Sequence, residues 1–338
     1  DCLTVLKTFP DEFIDQIICS NNLDILKTLP NESINCCITS PPYWALRDYG
    51  VDGQLGLEPT FQEYLDKLIA IFDEVKRVLR KDGTCWVVLG DTYSGSGCGT
   101  NDYRTEKSKS IQGKGKNRNL YKTGGIAQKI TNVVQAKSLL QIPSRFAIMM
   151  TDHGWILRNE IIWYKPNCMP SSVKDRFTVD FEKVFFFVKE KKCWFEQQFE
   201  PHLTQEKRPD GIVRQRTYGY KGKYSSKEEM RKWQKNEDSI HGNNAYSPQG
   251  RNKRCVWQIP TKPFKEAHFA VFPPTLVEPM IQAGCPENGI VLDPFMGSGT
   301  VAEVALKLNR RFVGIELNPE YIKIAKKRIR EIQPQLVF

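Results

Sequence analysis

Hydrophobic residues follow two periods along this chain. Ile34 to Thr39 (INCCIT) is a short, mostly apolar run, which suits a strand buried on both faces. The stretch FQEYLDKLIAIFDEVKRVLR places Phe61, Tyr64, Leu65, Leu68, Ile69, Phe72, Val75 and Leu79 three and four apart, the spacing of an amphipathic helix. TCWVVLGD follows as a second buried strand ending in Gly90 and Asp91. A helix feeding a strand in this way is the repeating unit of an α/β sheet. Further on, Ser144 is expected to cap a helix over RFAIMM. WILRNEIIWY and KVFFFV are expected as strands, the first alternating and so nearer a sheet edge. The last third, NGIVLDPFMGSGTVAEVALKLNRRFVGIELNPEYIKIAKKRI, reads strand, Gly-rich turn, helix, strand, turn, helix. No internal repeat is found.

Two segments break this pattern. From Ser94 to about Asn132 the chain is rich in Gly, Ser and Lys without apolar period, and a long mobile loop is expected. His202 to Lys262 is polar, basic and studded with Tyr218, Tyr220, Tyr224, Trp233, Tyr246 and Trp257, and is expected as an insertion outside the main sheet. The division that results is 1–190 with the loop near 94–132, an insertion over 191–262, and 263–338.

The net charge of +10 sits in these breaks. Ser94 to Arg145 holds ten Lys and Arg against two acids, and His202 to Lys262 fourteen against six, while the other residues hold 25 against 31. Such segregation on an otherwise acidic body fits a polyanion-binding surface, solvated loops without a partner being the alternative. Ten cysteines show no CxxC pair and no His cluster, so no metal site is expected and the thiols are expected reduced. Cys19, Cys36, Cys37, Cys85 and Cys193 lie in or beside apolar runs, where a thiol packs as a small apolar group. No apolar run approaches the roughly 18 residues of a membrane helix and no leader is visible, so the expected place is inside a cell.

Two short stretches carry candidate chemistry. In VLDPFMGSGT a strand ends at Asp293, a turn holds Gly297 and Gly299, and a helix opens near Thr300. That is the plan of a nucleotide-type cofactor crevice at the carboxyl ends of a parallel sheet. A second strand, RRFVGIEL, ends at Glu316, an acid placed to accept hydrogen bonds from ribose hydroxyls. No Lys follows the second glycine, against a P-loop, and the spacing is not GxGxxG; a tight turn with no ligand stays an alternative. In TSPPYW, Pro41 and Pro42 fix extended geometry and bring no N–H. The Ser40 hydroxyl and Pro41 carbonyl are left as acceptors beside the Tyr43 ring, and a flat substrate could stack there and give them both hydrogens of an amino group. A rigid loop without a ligand is the alternative.

SPPY followed by DPFMGSGT, with a basic insertion between, resembles the beta (permuted) class of DNA amino-methyltransferases, which use S-adenosyl-L-methionine. NNLDILKTLPNESINCCITSPPY is similar to that family's lead-in to its catalytic loop, and HFAVFPPTLVEPMI to the motif packing on the cofactor; similarity covers residues 20–92 and 264–330. The resemblance implies a Rossmann-like doubly wound α/β sheet and methyl transfer to DNA. It implies Ser40, Pro41, Pro42 and Tyr43 as the catalytic loop. Cofactor residues would be Asp24, Thr39, His268, Phe269, Pro273, Asp293, Pro294, Phe295, Gly297, Ser298, Gly299, Thr300, Glu316, Leu317 and Asn318. Target recognition would fall to the insertion, with Arg214, Arg216, Lys221, Lys223, Arg251, Lys253 and Arg254 on DNA. Serine at the head of SPPY is more typical of cytosine-N4 enzymes than of adenine-N6 ones, so a flipped cytosine is the favoured target, with adenine N6 the alternative. An RNA base, a protein glutamine or an inactive DNA binder are the rival classes. A cognate restriction endonuclease and a homodimer are left open as partners.

Overall fold

The computed structural model of the chain describes residues 15–46, 48–94, 134–201, 250–262 and 272–333. The expected loop near 94–132, most of the expected insertion, and His268 and Phe269 lie outside the described residues. Strand β1 (Gln16–Cys19) leads through helix α1 (Asn22–Thr28) to β2 (Ile34–Thr39), and α2 (Phe61–Val78) runs directly into β3 (Leu79–Leu89). Helix α3 (Ile142–Asp152) precedes β4 (Ile156–Tyr164) and β5 (Phe181–Val188). After the short strands β6 (Phe199–Glu200), β7 (Arg251–Asn252) and β8 (Val256–Gln258) come α4 (Pro274–Gly284), β9 (Ile290–Asp293), α5 (Thr300–Lys307), β10 (Arg311–Glu316) and α6 (Pro319–Ile332).

Local chemistry accounts for the element ends. Thr60 caps α2: its hydroxyl oxygen accepts the Glu63 N–H (3.2 Å) and the hydroxyl donates to the Glu63 carboxylate (3.1 Å). Ser144 does not cap α3, contrary to expectation. That helix starts at Ile142, with Pro143 in its first turn where a missing N–H is harmless, and Ser144 turns back to donate to the Gln141 side chain.

The chain divides into two compact units, Gln197–Arg254 and the remainder. In the remainder, the described strands form one sheet in the order β1-β10-β9-β2-β3-β5-β4-β8. The first five run parallel, β5 is antiparallel to β3 and β4, and β8 pairs parallel with β4. Every residue of β2 is buried, as a central parallel strand requires. Residues 256–258, expected outside the sheet, are instead its edge strand, because Trp163 and Trp257 find a dry face there and the Trp163 indole donates to the Ile259 carbonyl (2.8 Å).

Helices cover both faces. On one, α2 and α3 press Leu65, Leu68, Phe72 and Phe146 onto Cys37, Cys85, Leu292 and Ile315. On the other, α4, α5 and α6 press Met280, Val301, Ala305 and Ile322 onto Cys36, Trp86, Val88 and Val291. The side-chain alternation of each strand feeds both cores, which makes the sheet doubly wound. Cys36, Cys37, Cys85 and also Cys285 are buried free thiols, whereas Cys193 is only half-buried and Cys19, at the end of the edge strand β1, is exposed, unlike the expectation for both. In the smaller unit, β6 and β7 pair antiparallel, and the Glu200 carboxylate bridges Arg251 (2.8 Å) and Arg254 (2.6 Å).

Phe72 is fully buried and meets Phe146 edge-on at 5.2 Å. Phe72→Ala is expected to lower the free energy of unfolding by about 3–5 kcal/mol in a urea titration; a loss under about 1 kcal/mol would show that this core collapses around the gap.

Candidate active site

Parallel pairing puts the carboxyl ends of β2, β9 and β10 side by side, and the loop leaving each turns into one cavity of about 960 Å³. Ser40, Pro41, Pro42 and Tyr43 line it from β2; Pro294, Phe295, Gly297, Ser298 and Thr300 from β9; Glu316, Leu317 and Asn318 from β10. Beneath the loops, the buried Thr39 hydroxyl donates to Asp293 Oδ1 (2.6 Å), and the same oxygen accepts the Phe295 N–H (3.1 Å). One carboxylate thus ties the root of the first loop to the turn of the second. Burial pushes the Asp293 pKa up to about 7, the charge of Glu316 adding to it and the two hydrogen bonds opposing it.

The Ser40–Tyr43 loop is braced from outside the sheet. Tyr64 of α2 donates its phenol proton to the Pro42 carbonyl (2.9 Å), and the Trp44 indole donates to the Glu58 carbonyl (3.0 Å). Among the described residues no backbone N–H donates to the Pro41 carbonyl, which leaves it an available acceptor. The Tyr43 ring lies against Gly90 at the end of β3, so close that a Cβ there would sit 2.5 Å from ring carbon Cε2. The Tyr43 hydroxyl donates to Glu182 Oε2 (2.7 Å) and accepts from the Ser40 hydroxyl (3.5 Å). Burial, with the charge of Glu182 beside it, raises the Tyr43 pKa well above the ordinary phenol value. Lys165 pairs with Glu182 and lies 4.3 Å over the Trp163 ring.

Across the cavity, Glu316 accepts the Gly297 N–H (2.7 Å) and the Asn318 N–H (2.8 Å), which aims its carboxylate along the Gly-rich turn. Burial raises its pKa. Gly299 takes φ +82° and a Cβ there would meet Ala325 at 2.9 Å, so turn and α6 can pack only with glycine at this position. Arg328 of α6 donates to the Ser298 carbonyl (2.8 Å) and hydroxyl (2.9 Å) and to Thr300 Oγ1 (3.2 Å), holding the turn from behind.

Several residues expected at the cofactor are not on the cavity wall. Thr39 and Asp293 form the buried tie beneath it, Gly299 faces α6, Pro273 precedes α4, and Asp24 is exposed on α1. The neighbours of Asp24, Asn21 to Leu23, line the cavity instead, and Asn22 donates to the Pro294 carbonyl (3.4 Å). Sequence reading missed Glu182, Lys165, Tyr64 and Arg328, which belong to no local motif. The available signal was Glu182, an acid beside Lys183 near the start of a strand that is otherwise Phe and Val. Of the residues expected on DNA, Arg251 and Arg254 pair with Glu200, the Lys253 N–H donates to the Gln198 carbonyl (2.9 Å), and Arg214, Arg216, Lys221 and Lys223 lie outside the described residues.

Comparison with known proteins finds relatives in sequence and in fold. The profile of a DNA methylase family, N6_N4_Mtase, matches residues 34–327. The type II methyltransferase M.XycI of Xanthomonas campestris pv. cyanopsidis is 39% identical over 91% of this chain and 85% of its own. M.Cfr9I of Citrobacter freundii is 38% identical over the same shares, and M.SmaI of Serratia marcescens 36% identical over 93% and 90%. Among solved structures, the cytosine-N4-specific PvuII DNA methyltransferase superposes with a TM-score of 0.57 at 19% identity, covering 94% of this chain and 90% of its own. A Thermus thermophilus protein described as a putative DNA modification methylase, in complex with S-adenosyl-L-methionine, gives 0.55 at 19% identity over 95% of both chains.

Asp293 binds its proton more tightly folded than unfolded, so its contribution to stability is fully present below the unfolded value near 4 and is lost as pH rises through about 7. Asp293→Asn keeps an acceptor for Thr39 and cannot titrate. Urea unfolding at pH 5 and pH 8 is therefore expected to show a smaller drop in stability for the variant, and equal drops would refute the shift.

Proposed function

We propose that this chain, which belongs to the N6/N4 DNA methylase family, methylates the exocyclic N4 amino group of a cytosine turned out of the DNA duplex. The observation that carries this reading is that the SPPY loop and the Gly-rich turn line one cavity and are tied at their roots by Thr39 and Asp293.

The cavity wall fits S-adenosyl-L-methionine. Glu316 is an acceptor held at the end of β10 facing a glycine turn, and Phe295 and Leu317 supply apolar lining. Bound there, the cofactor supplies a sulfonium methyl. The protein's part is to prepare the nucleophile. An amino group on a base is a poor one because its lone pair is delocalised into the ring. Drawing its two N–H bonds out of the ring plane toward Ser40 Oγ and the Pro41 carbonyl makes the nitrogen more tetrahedral and takes the lone pair out of conjugation, so positioning replaces a strong base. Turning the base out costs a few kcal/mol, and stacking on Tyr43 returns about 1–3 kcal/mol.

Cytosine is favoured by Ser40, since relatives with Asp or Asn at that position more often act on adenine, and the structural neighbour with TM-score 0.57 is a cytosine-N4-specific enzyme. The basic segments near 94–132 and 191–262, with Arg214, Arg216, Lys221, Lys223, Arg251, Lys253 and Arg254, are assigned to phosphate and base recognition on their charge and aromatic content. Such a modification suits protection of DNA against a nuclease of the same specificity.

Tritiated methyl transfer to plasmid, RNA and protein tests the reading. Label is expected in DNA alone and to disappear with Ser40→Ala, and nucleoside mass spectrometry is expected to find 4-methylcytosine; 6-methyladenine would overturn the choice of base, and label in RNA or protein the choice of substrate. Gly90→Ala, which forces the Tyr43 ring aside, is expected to cost at least about tenfold in kcat with an unchanged circular dichroism spectrum.

A further inference from the structure

Glu182 and Lys165 reach the cavity from β5 and from the end of β4, strands that carry neither motif. Together with the SPPY loop they complete a directed chain. The Ser40 hydroxyl donates to Tyr43 Oη (3.5 Å), the Tyr43 hydroxyl donates to Glu182 Oε2 (2.7 Å), and Lys165 holds the other carboxylate oxygen. Every hydrogen in this chain points away from the Ser40 oxygen and toward the carboxylate. That leaves the lone pairs of Ser40 Oγ to face an incoming N–H.

We propose that Ser40, Tyr43 and Glu182 form a proton relay that removes the proton shed by the substrate amine on methylation, with Glu182 as its acceptor. The proposal rests on the reading of the SPPY loop as the site of methyl transfer. As the new N–C bond forms and the S–C bond breaks, the bonding pair stays on sulfur and the amine must lose one hydrogen to become neutral. That hydrogen passes to Ser40 Oγ as the Ser40 proton passes to Tyr43 Oη and the Tyr43 proton to Glu182. Charge balances, since a sulfonium and a carboxylate become a thioether and a carboxylic acid. Tyr43 both gives and receives a proton and is never a phenolate, in keeping with the burial that disfavours its anion. Among the described residues, the titratable groups bonded to Glu182 are Tyr43 and Lys165, and Lys183, next in the strand, is held by Glu160 (2.7 Å) and Ser144 (3.1 Å).

A purely structural role would have Glu182 merely aim the Tyr43 ring, and two variants separate the possibilities. Tyr43→Phe keeps the ring and cuts the chain; Glu182→Gln keeps an acceptor oxygen for Tyr43 that cannot take up a proton. Single-turnover methylation of plasmid DNA by the full chain would be followed across pH, with and without imidazole, alongside calorimetric binding of S-adenosyl-L-methionine. Both variants are expected to be slowed about tenfold or more, to speed up with rising pH and to be partly rescued by imidazole, while the unaltered chain ignores imidazole and cofactor affinity stays within about twofold. Wild-type rates in either variant, slowed variants blind to both pH and imidazole, or weakened cofactor binding would overturn the relay. An unaltered chain that methylates no DNA would overturn the assigned function and the relay with it, whereas an active one with unaffected variants overturns the relay alone.

Discussion

The site depends on one hydrogen bond, from the Thr39 hydroxyl to Asp293, across the seam between β2 and β9. Both residues are buried, so the bond has no water to compete with it, and its loss would leave the Thr39 hydroxyl unpaired and the Asp293 carboxyl with the Phe295 N–H alone. It fixes the two strand ends at the point where one chain segment becomes the SPPY loop and the other the Gly-rich turn. The positions of Ser40, Phe295 and Gly297 relative to one another follow from it. The pairing of β9 with β10 then adds Glu316, whose carboxylate closes the turn through the Gly297 N–H.

Around that seam the braces come from helices on both faces. Tyr64 reaches from α2 to the Pro42 carbonyl, and Arg328 reaches from α6 to Ser298 and Thr300. Each loop is therefore held by a helix of a different core layer, and the cavity inherits the rigidity of both. Donors and acceptors kept at fixed distances are what a reaction driven by positioning needs.

Much of this was legible in the chain because it is local. The buried run INCCIT, the helical spacing from Phe61 to Leu79 and the turn at Gly297 to Gly299 each declare themselves within a few residues. What stayed hidden depends on partners distant in sequence. Glu182 is ordinary until β5 pairs antiparallel with β3 and brings it to Tyr43, and Arg328 looks like one more cation on an amphipathic helix until α6 packs behind the turn. The role of Asp293 in the fold was hidden in the same way, since only the register of β9 against β2 reveals that its Oδ1 accepts the Thr39 hydroxyl. Ser144 misled for a local reason, since Pro143 is as good a first-turn residue as serine is a cap.

Thr39 and Asp293 are 254 positions apart, yet the pairing of β2 with β9 brings them together. Sheet pairing sets their distance, and the entropy of closing so long an excursion grows only logarithmically with its length. The segment Gln197–Arg254 forms a compact unit of its own, so the seam between β2 and β9 does not run through it. A scaffold of this kind lets a separate unit change its sequence while the seam between β2 and β9 is kept.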